Sequence, residues 1–132
     1  MDREVSPTVE RGAPVVLVAD DSFDSRDMYG EILRFGGYDV LEAENGAEAV
    51  DLALSRHPDV IVMDLCMPRM DGWEAISRLK SNPQTKSIPV VALTALGWRA
   101  DAEAIPCEAY LVKPCLPLDL LGVLDSLVAR LA

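Results

Sequence analysis

The 132-residue chain is poor in the features that would anchor it to a membrane, staple it covalently or steer it to a polyanion. Its three cysteines, Cys66, Cys107 and Cys115, are odd in number and lack CxxC spacing, so they read as reduced thiols rather than a disulfide framework or zinc site. No apolar run approaches the ~20 residues of a membrane span, which argues against membrane insertion. The polar stretch Met1–Ala13 lacks the apolar core of a secretory signal and is expected to be a disordered leader to a domain over residues 14–132. Lys and Arg number 12 against 22 Asp and Glu, and no basic cluster interrupts the net charge of −10, so direct nucleic-acid binding is not expected. The single histidine, His57, lies between Arg56 and Pro58 at an expected helix end, an exposed place with no catalytic role. Repeats, low-complexity tracts and interdomain linkers are also missing, and a cytoplasmic location fits the whole.

What the chain does have is four short apolar runs, each closed by polar residues. Asp20 and Asp21 follow Val15–Ala19, Asp64 follows Val60–Met63, Thr94 follows Val90–Leu93, and Lys113 follows Tyr110–Val112. Runs of this length between helical patterns read as parallel strands buried on both faces. A fifth, mixed strand over Tyr38–Glu42 suits a sheet edge, and the fourth and fifth strands in chain order are expected over Ile88–Leu93 and Ala109–Val112.

Helices fill the gaps. Ser22 is a suitable N-cap for the first, with Phe23, Met28, Ile32 and Leu33 on its inner side and Gly36-Gly37 as its stop. Asn45-Gly46 opens the second, which buries Ala49, Val50, Ala53 and Leu54 and ends at Pro58. Asp71-Gly72-Trp73-Glu74 has capping-box form and opens a third with Ile76 and Leu79 inside. A fourth, short or irregular, is expected over Trp98–Ile105, because Pro106 cannot continue a helix. The last begins near Pro117 and buries Leu120, Leu121, Leu124, Leu127 and Val128. Met63, Met67 and Met70 read as strand and loop packing, and Trp73 and Trp98 as partly buried.

Alternating strands and helices imply an α/β, doubly wound, five-stranded parallel sheet with about five helices, in the flavodoxin-like order 2-1-3-4-5. In such a sheet the ligand site lies beyond the carboxyl ends of the strands, where the order reverses. Asp20, Asp21 and Asp64 would share that crevice, flanked by Thr94 and Lys113. Three crowded carboxylates raise one another's pKa, a conflict that a divalent cation and an ammonium relieve. Hard oxygen ligands point to Mg²⁺. An aspartate beside such an ion is a competent nucleophile for phosphoryl transfer.

At this point the chain resembles the receiver domains of two-component response regulators. The resemblance rests on Val18-Ala19-Asp20-Asp21-Ser22, Asp64-Leu65-Cys66-Met67-Pro68-Arg69-Met70-Asp71-Gly72, Leu93-Thr94-Ala95 and Tyr110-Leu111-Val112-Lys113-Pro114, and spans about Val15 to Leu131. It implies Asp64 as phosphoacceptor, Asp20 and Asp21 as the metal-binding acidic pair, and the Cys66 backbone carbonyl as a further ligand to Mg²⁺ or Mn²⁺. It also implies Thr94 as switch hydroxyl, Tyr110 as the aromatic that moves with it, and Lys113 as the lysine contacting the phosphoryl group. The implied partners are a sensor histidine kinase or histidine phosphotransfer protein and a downstream protein. The implied form is a stand-alone receiver, monomeric or weakly dimeric, and not an enzyme beyond its own phosphorylation and dephosphorylation.

Departures from the family pattern lie between Thr94 and Lys113, a step of 19 positions where the family spends a few more. Apolar Leu96, two beyond Thr94, is expected to hinder an attacking water and lengthen the life of an aspartyl-phosphate. A phosphorylation-independent pseudo-receiver is the alternative. A small-molecule phosphatase ranks last, since its second acid would fall at Cys66.

Overall fold

The computed structural model describes residues 12–67, 70–94 and 106–129. Five parallel strands, β1 (Val15–Ala19), β2 (Asp39–Ala43), β3 (Val60–Asp64), β4 (Val90–Thr94) and β5 (Ala109–Val112), pair in the order β2-β1-β3-β4-β5. Among the described residues there are four helices: α1 (Phe23–Phe35), α2 (Gly46–Arg56), α3 (Gly72–Ser81) and α4 (Pro117–Ala129). The helix expected over Trp98–Ile105, with Leu96 and Trp98, lies outside the described residues, as do residues 1–11 of the expected leader.

The period of two along each strand divides the core into two layers. Leu17 and Ala19 of β1, Ile61 and Met63 of β3, and Val90 and Ala92 of β4 pack with Ala49, Ala53, Ala75, Ile76 and Leu79 of α2 and α3. Val16, Val18, Val60, Val62, Val91 and Leu93 turn the other way, onto Tyr29 and Leu33 of α1 and Leu120, Leu124 and Leu127 of α4. Strands β3 and β4 are buried along their whole length, which is why they read as unbroken apolar runs.

Helix ends follow local chemistry. The Ser22, Asn45 and Asp71 side chains accept from the N–H groups of Ser25, Glu48 and Glu74 at 3.3, 2.8 and 2.9 Å, satisfying donors that the first turn leaves unpaired. In the sequence Glu74 completes a capping box; in the structure its carboxylate instead takes Arg78, four residues on, at 2.9 Å. A Schellman motif closes α1: Gly37 N donates to Arg34 O at 3.0 Å and Tyr38 N to Leu33 O at 3.0 Å, with Gly37 at φ +98°. That use of the Tyr38 N–H delays β2 to Asp39. Strand β4 likewise starts at Val90 rather than Ile88, because Ile88 N closes a turn onto Thr85 O and Pro89 has no N–H to give. His57 caps α2 in the left-handed region at φ 47° and is exposed, as expected.

Two expectations fail. On α2, Leu52 rather than Leu54 packs against the core beside Ala49, Val50 and Ala53. Phe23 and Met28 are 67% and 48% exposed, and the inner face of α1 is instead Arg26, Tyr29, Gly30 and Leu33. The helix is phased by Tyr29 and Leu33, four residues apart, so Phe23 and Met28 fall off the stripe despite their apolarity. Met63, Met67 and Met70 pack in the core as expected, and Trp73 is partly buried.

Ile61 and Leu124 are both fully buried, one in each layer. Ile61→Ala and Leu124→Ala should each lower the unfolding free energy by about 2–5 kcal/mol, read by chemical denaturation, since each leaves a void that the sheet cannot collapse around.

Candidate functional site

Asp20 stands one residue past β1 and is 1% exposed. Its Oδ1 accepts from Ser22 N at 2.9 Å, and its Oδ2 from Ser25 Oγ at 2.7 Å and Lys113 Nζ at 3.2 Å. Its backbone is gripped as well: Asp20 N donates to Ala43 O at 3.1 Å, and its carbonyl accepts Arg26 Nη1 at 2.8 Å. Arg26 Nε in turn pairs with Glu42 of β2 at 3.1 Å, and its guanidinium lies 5.6 Å from the Phe23 ring centroid. The neighbouring Asp21 is exposed.

Asp64, the last residue of β3, is 5% exposed. Its Oδ1 accepts from Cys66 N at 3.0 Å and its Oδ2 from Lys113 Nζ at 3.4 Å. Leu65 N donates to Leu93 O at 3.0 Å, and at the start of α3, seven residues on, the chain has turned back so that Gly72 N donates to Leu65 O at 3.3 Å. That turn needs glycine: a Cβ on Gly72 would collide with the Asp64 carbonyl oxygen and come within 2.6 Å of Leu65 Cα. Cys66 itself exposes its thiol.

Lys113 follows β5, with its N–H on Thr94 O at 2.8 Å, and the Lys113–Pro114 bond is cis. Thr94 ends β4, fully buried. Tyr110 is opposite Ala92 in the β4–β5 register and packs, partly buried, in the α2–α3 layer. The sheet thus brings together Asp20, Asp64 and Lys113 in direct contact, with Asp21 beside them, while Thr94 stands at the end of the strand adjoining β3.

One carboxylate oxygen from each of Asp20, Asp21 and Asp64 lies within 4.8 Å of the others. Burial, with Asp20 adding to it, pushes the Asp64 carboxyl above its ordinary range, against the Cys66 N–H and Lys113, which pull it down. Burial alone would lower Lys113, but the Asp64 and Asp20 carboxylates outweigh it and raise its pKa. Two buried acids, one exposed acid and one ammonium form a hard-oxygen set with a charge deficit, the donor chemistry that a small divalent cation satisfies.

Comparison with known proteins decides the family. The model of the response regulator receiver domain matches residues 16–125. The chain belongs to the response regulator receiver domain family. It is 35% identical over 102 residues to the polar-differentiation response regulator DivK of Brucella ovis, covering 75% of this chain and 83% of that one. A response regulator structure from Chloroflexus aurantiacus J-10-fl superposes with a TM-score of 0.83 at 32% identity, over 89% of this chain and 99% of the other. The receiver domain of sensor histidine kinase PA1611 from Pseudomonas aeruginosa PAO1, solved with a magnesium ion coordinated in its active-site cleft, gives 0.84 at 26%, again over 89% and 99%. Among the described residues no helix is long and apolar enough to cross a membrane.

Sequence reasoning missed Ser25, Arg26 and Tyr29 around this receiver's acids. Ser25 and Arg26 lie in the first turn of α1, where a polar side chain reads as a solvated face; only their spacing of five and six from Asp20 could have marked them. Tyr29 is the apolar residue on the true inner stripe, and its ring lies 5.8 Å from Lys113 Nζ.

Two expectations follow. Arg26→Ala should cost about 2 kcal/mol in unfolding free energy, because the Asp20 carbonyl loses a buried partner, whereas Arg34→Ala, removing an exposed contact to the same Glu42, should stay within about 0.5 kcal/mol. Equal losses would contradict the placement. In chelator, the raised Asp64 pKa means that the folded state holds that proton more tightly than the unfolded chain, so this contribution favours folding at low pH and is lost as pH rises through and above 3.8. Asp64→Asn should therefore be more stable than the parent at neutral pH, with the gap closing as pH falls toward 3.8, as read from paired denaturation curves.

Proposed function

We propose that Asp64 accepts a phosphoryl group from a phosphohistidine, presented by a sensor histidine kinase or a histidine phosphotransfer protein, and that the aspartyl-phosphate switches a protein-binding surface. The observation that carries this reading is the Lys113 ammonium held between Asp20 Oδ2 and Asp64 Oδ2 at the carboxyl edge of the sheet, in a cluster that includes Asp21. A carboxylate oxygen of Asp64 attacks phosphorus in line, the P–N bond breaks, and the imidazole leaves with the donor. Lys113 is in place to move from the Asp64 carboxylate to an oxygen of the arriving group. Mg²⁺ or Mn²⁺, bound by Asp20, Asp21, Asp64 and the Cys66 carbonyl, would neutralise charge on the phosphoryl oxygens. The acidic cluster and the magnesium-bearing cleft of the PA1611 receiver support that ion.

Thr94 and Tyr110 are read as the switch pair. Thr94 would hydrogen-bond a phosphoryl oxygen, Tyr110 would follow, and the surface formed by β5, α4 and the segment before β5 would change. Phosphorylation then shifts an existing equilibrium through its different contacts in the two states. The chain is proposed to work in the cytoplasm, as a monomer or weak dimer, and to turn over no free substrate.

Incubation with acetyl phosphate and Mg²⁺ should add one phosphoryl group, seen by intact mass, and Asp64→Ala should add none. Lys113→Ala should slow uptake on the order of 10²-fold, the usual loss of one charge-stabilising group. A parent that gains no phosphoryl group would replace this reading with that of a phosphorylation-independent interaction module.

A further inference from the structure

The Lys113 ammonium meets two kinds of partner. It pairs with Asp20 and Asp64, and it also lies over the Tyr29 ring, 5.8 Å from nitrogen to centroid. Tyr29 is 1% exposed, locked in the layer formed by α1, α4 and the even side of β1 and β3. Cys115, two residues past Lys113, is partly buried against the same layer, so Tyr29 and the segment that follows the lysine share one packing environment. Resting on the phosphoacceptor reading above, we infer that Tyr29 is a positioning residue that holds the Lys113 ammonium over Asp64.

The argument is one of charge. A lysine stem has many rotamers, and the Lys113 side chain is 26% exposed, so water competes for its ammonium. A third carboxylate would hold it more firmly, but would repel an incoming phosphoryl group and consume a hydrogen-bond donor. An aromatic face attracts the cation through its quadrupole, adds no net charge and leaves all three N–H donors to the oxygens. Tyr29 keeps that neutrality: burial first, then Cys115, Asp20 and Asp64, push its phenol well above the ordinary tyrosine range.

The test has two arms. In the free, folded protein, nuclear Overhauser contacts should join the Tyr29 ring protons to the Lys113 ε-methylene; their absence overturns the inference, whether or not the protein takes phosphoryl. In the second arm, acetyl phosphate with saturating Mg²⁺ gives the maximal phosphorylation rate and the donor KM separately. Tyr29→Phe keeps the ring and should retain most of the rate. Progressively fluorinated phenylalanines at position 29 keep the volume but drain the ring face, and the maximal rate should fall in step with fluorination. Tyr29→Leu should lose about threefold to thirtyfold, the range a partly desolvated cation–π contact supplies. Melting temperatures that stay level across the fluorinated series assign the loss to charge rather than packing. A rate flat across that series overturns the inference. A parent that fails to take phosphoryl sinks the functional reading instead, and the first arm still decides the placement of Tyr29.

Discussion

A single ammonium spans two strand ends that carry negative charge out of reach of bulk water, and the sheet order decides whether it can. At the usual spacing of ~4.8 Å, β5 is about 10 Å from β3 and about 14 Å from β1. A short side chain launched from β5 would stop over β4. Lysine has the reach, and its Nζ arrives 3.2 Å from Asp20 and 3.4 Å from Asp64. Had β5 been inserted elsewhere in the order, the two acids would face each other without a counter-charge, and burial would neutralise one of them by protonation. The order β2-β1-β3-β4-β5 is thus a requirement of the site as well as a product of right-handed crossovers.

The same sheet sorts the site residues into two layers. Asp64 continues the parity of Val60 and Val62, which face α1 and α4, so its carboxylate lies near Asp20 and pairs with Lys113, whose ammonium also lies over Tyr29. Thr94 continues the parity of Val90 and Ala92 and so belongs with Tyr110, in the layer of α2 and α3. Charge-handling groups therefore stand on one side of the sheet and the two residues read as the switch on the other, joined through the backbone bond from Lys113 N to Thr94 O at 2.8 Å.

Much of this was legible in the chain because strand ends in a parallel sheet are marked twice, by an apolar run and by the polar residue that closes it. Asp20, Asp64, Thr94 and Lys113 all carry that double mark. The caps Ser22, Asn45 and Asp71 were legible for a similar reason, since each is a short acceptor just before a helical pattern. Arg26 was not. Hydropathy assigns an arginine to solvent, yet here the Asp20 carbonyl and the Glu42 carboxylate together draw it to 7% exposure. Its inclusion agrees with the rotation of α1 that Tyr29 and Leu33 set, the one that turns Phe23 and Met28 outward. The boundary shifts at β2 and β4 have the same character: which N–H a turn consumes, at Tyr38 or Ile88, is a property of three-dimensional closure that no run of residue types announces.

The site is also where the fold gives up stability. Asp64 is among the few buried charged or polar groups of the described residues, and burial is the largest influence on its acidity. An asparagine there would fold more comfortably, as would an apolar residue in place of Lys113. The chain keeps instead a desolvated carboxylate whose oxygens are only partly satisfied by one N–H and one ammonium. Poor solvation is what leaves a carboxylate oxygen available to attack an electrophile, and a cation in the cluster would lower the cost of burying these carboxylates. Asp20 shows the contrast. Three donors, from Ser22, Ser25 and Lys113, fix its orientation and leave acceptor capacity for a cation. Two acids of the same chemical type, in one hollow, thus differ in the donors around them, three for Asp20 and two for Asp64 among the bonds described. That difference is set by the start of α1, whose N-cap Ser22 and first-turn Ser25 serve Asp20 and give nothing to Asp64 among the bonds described.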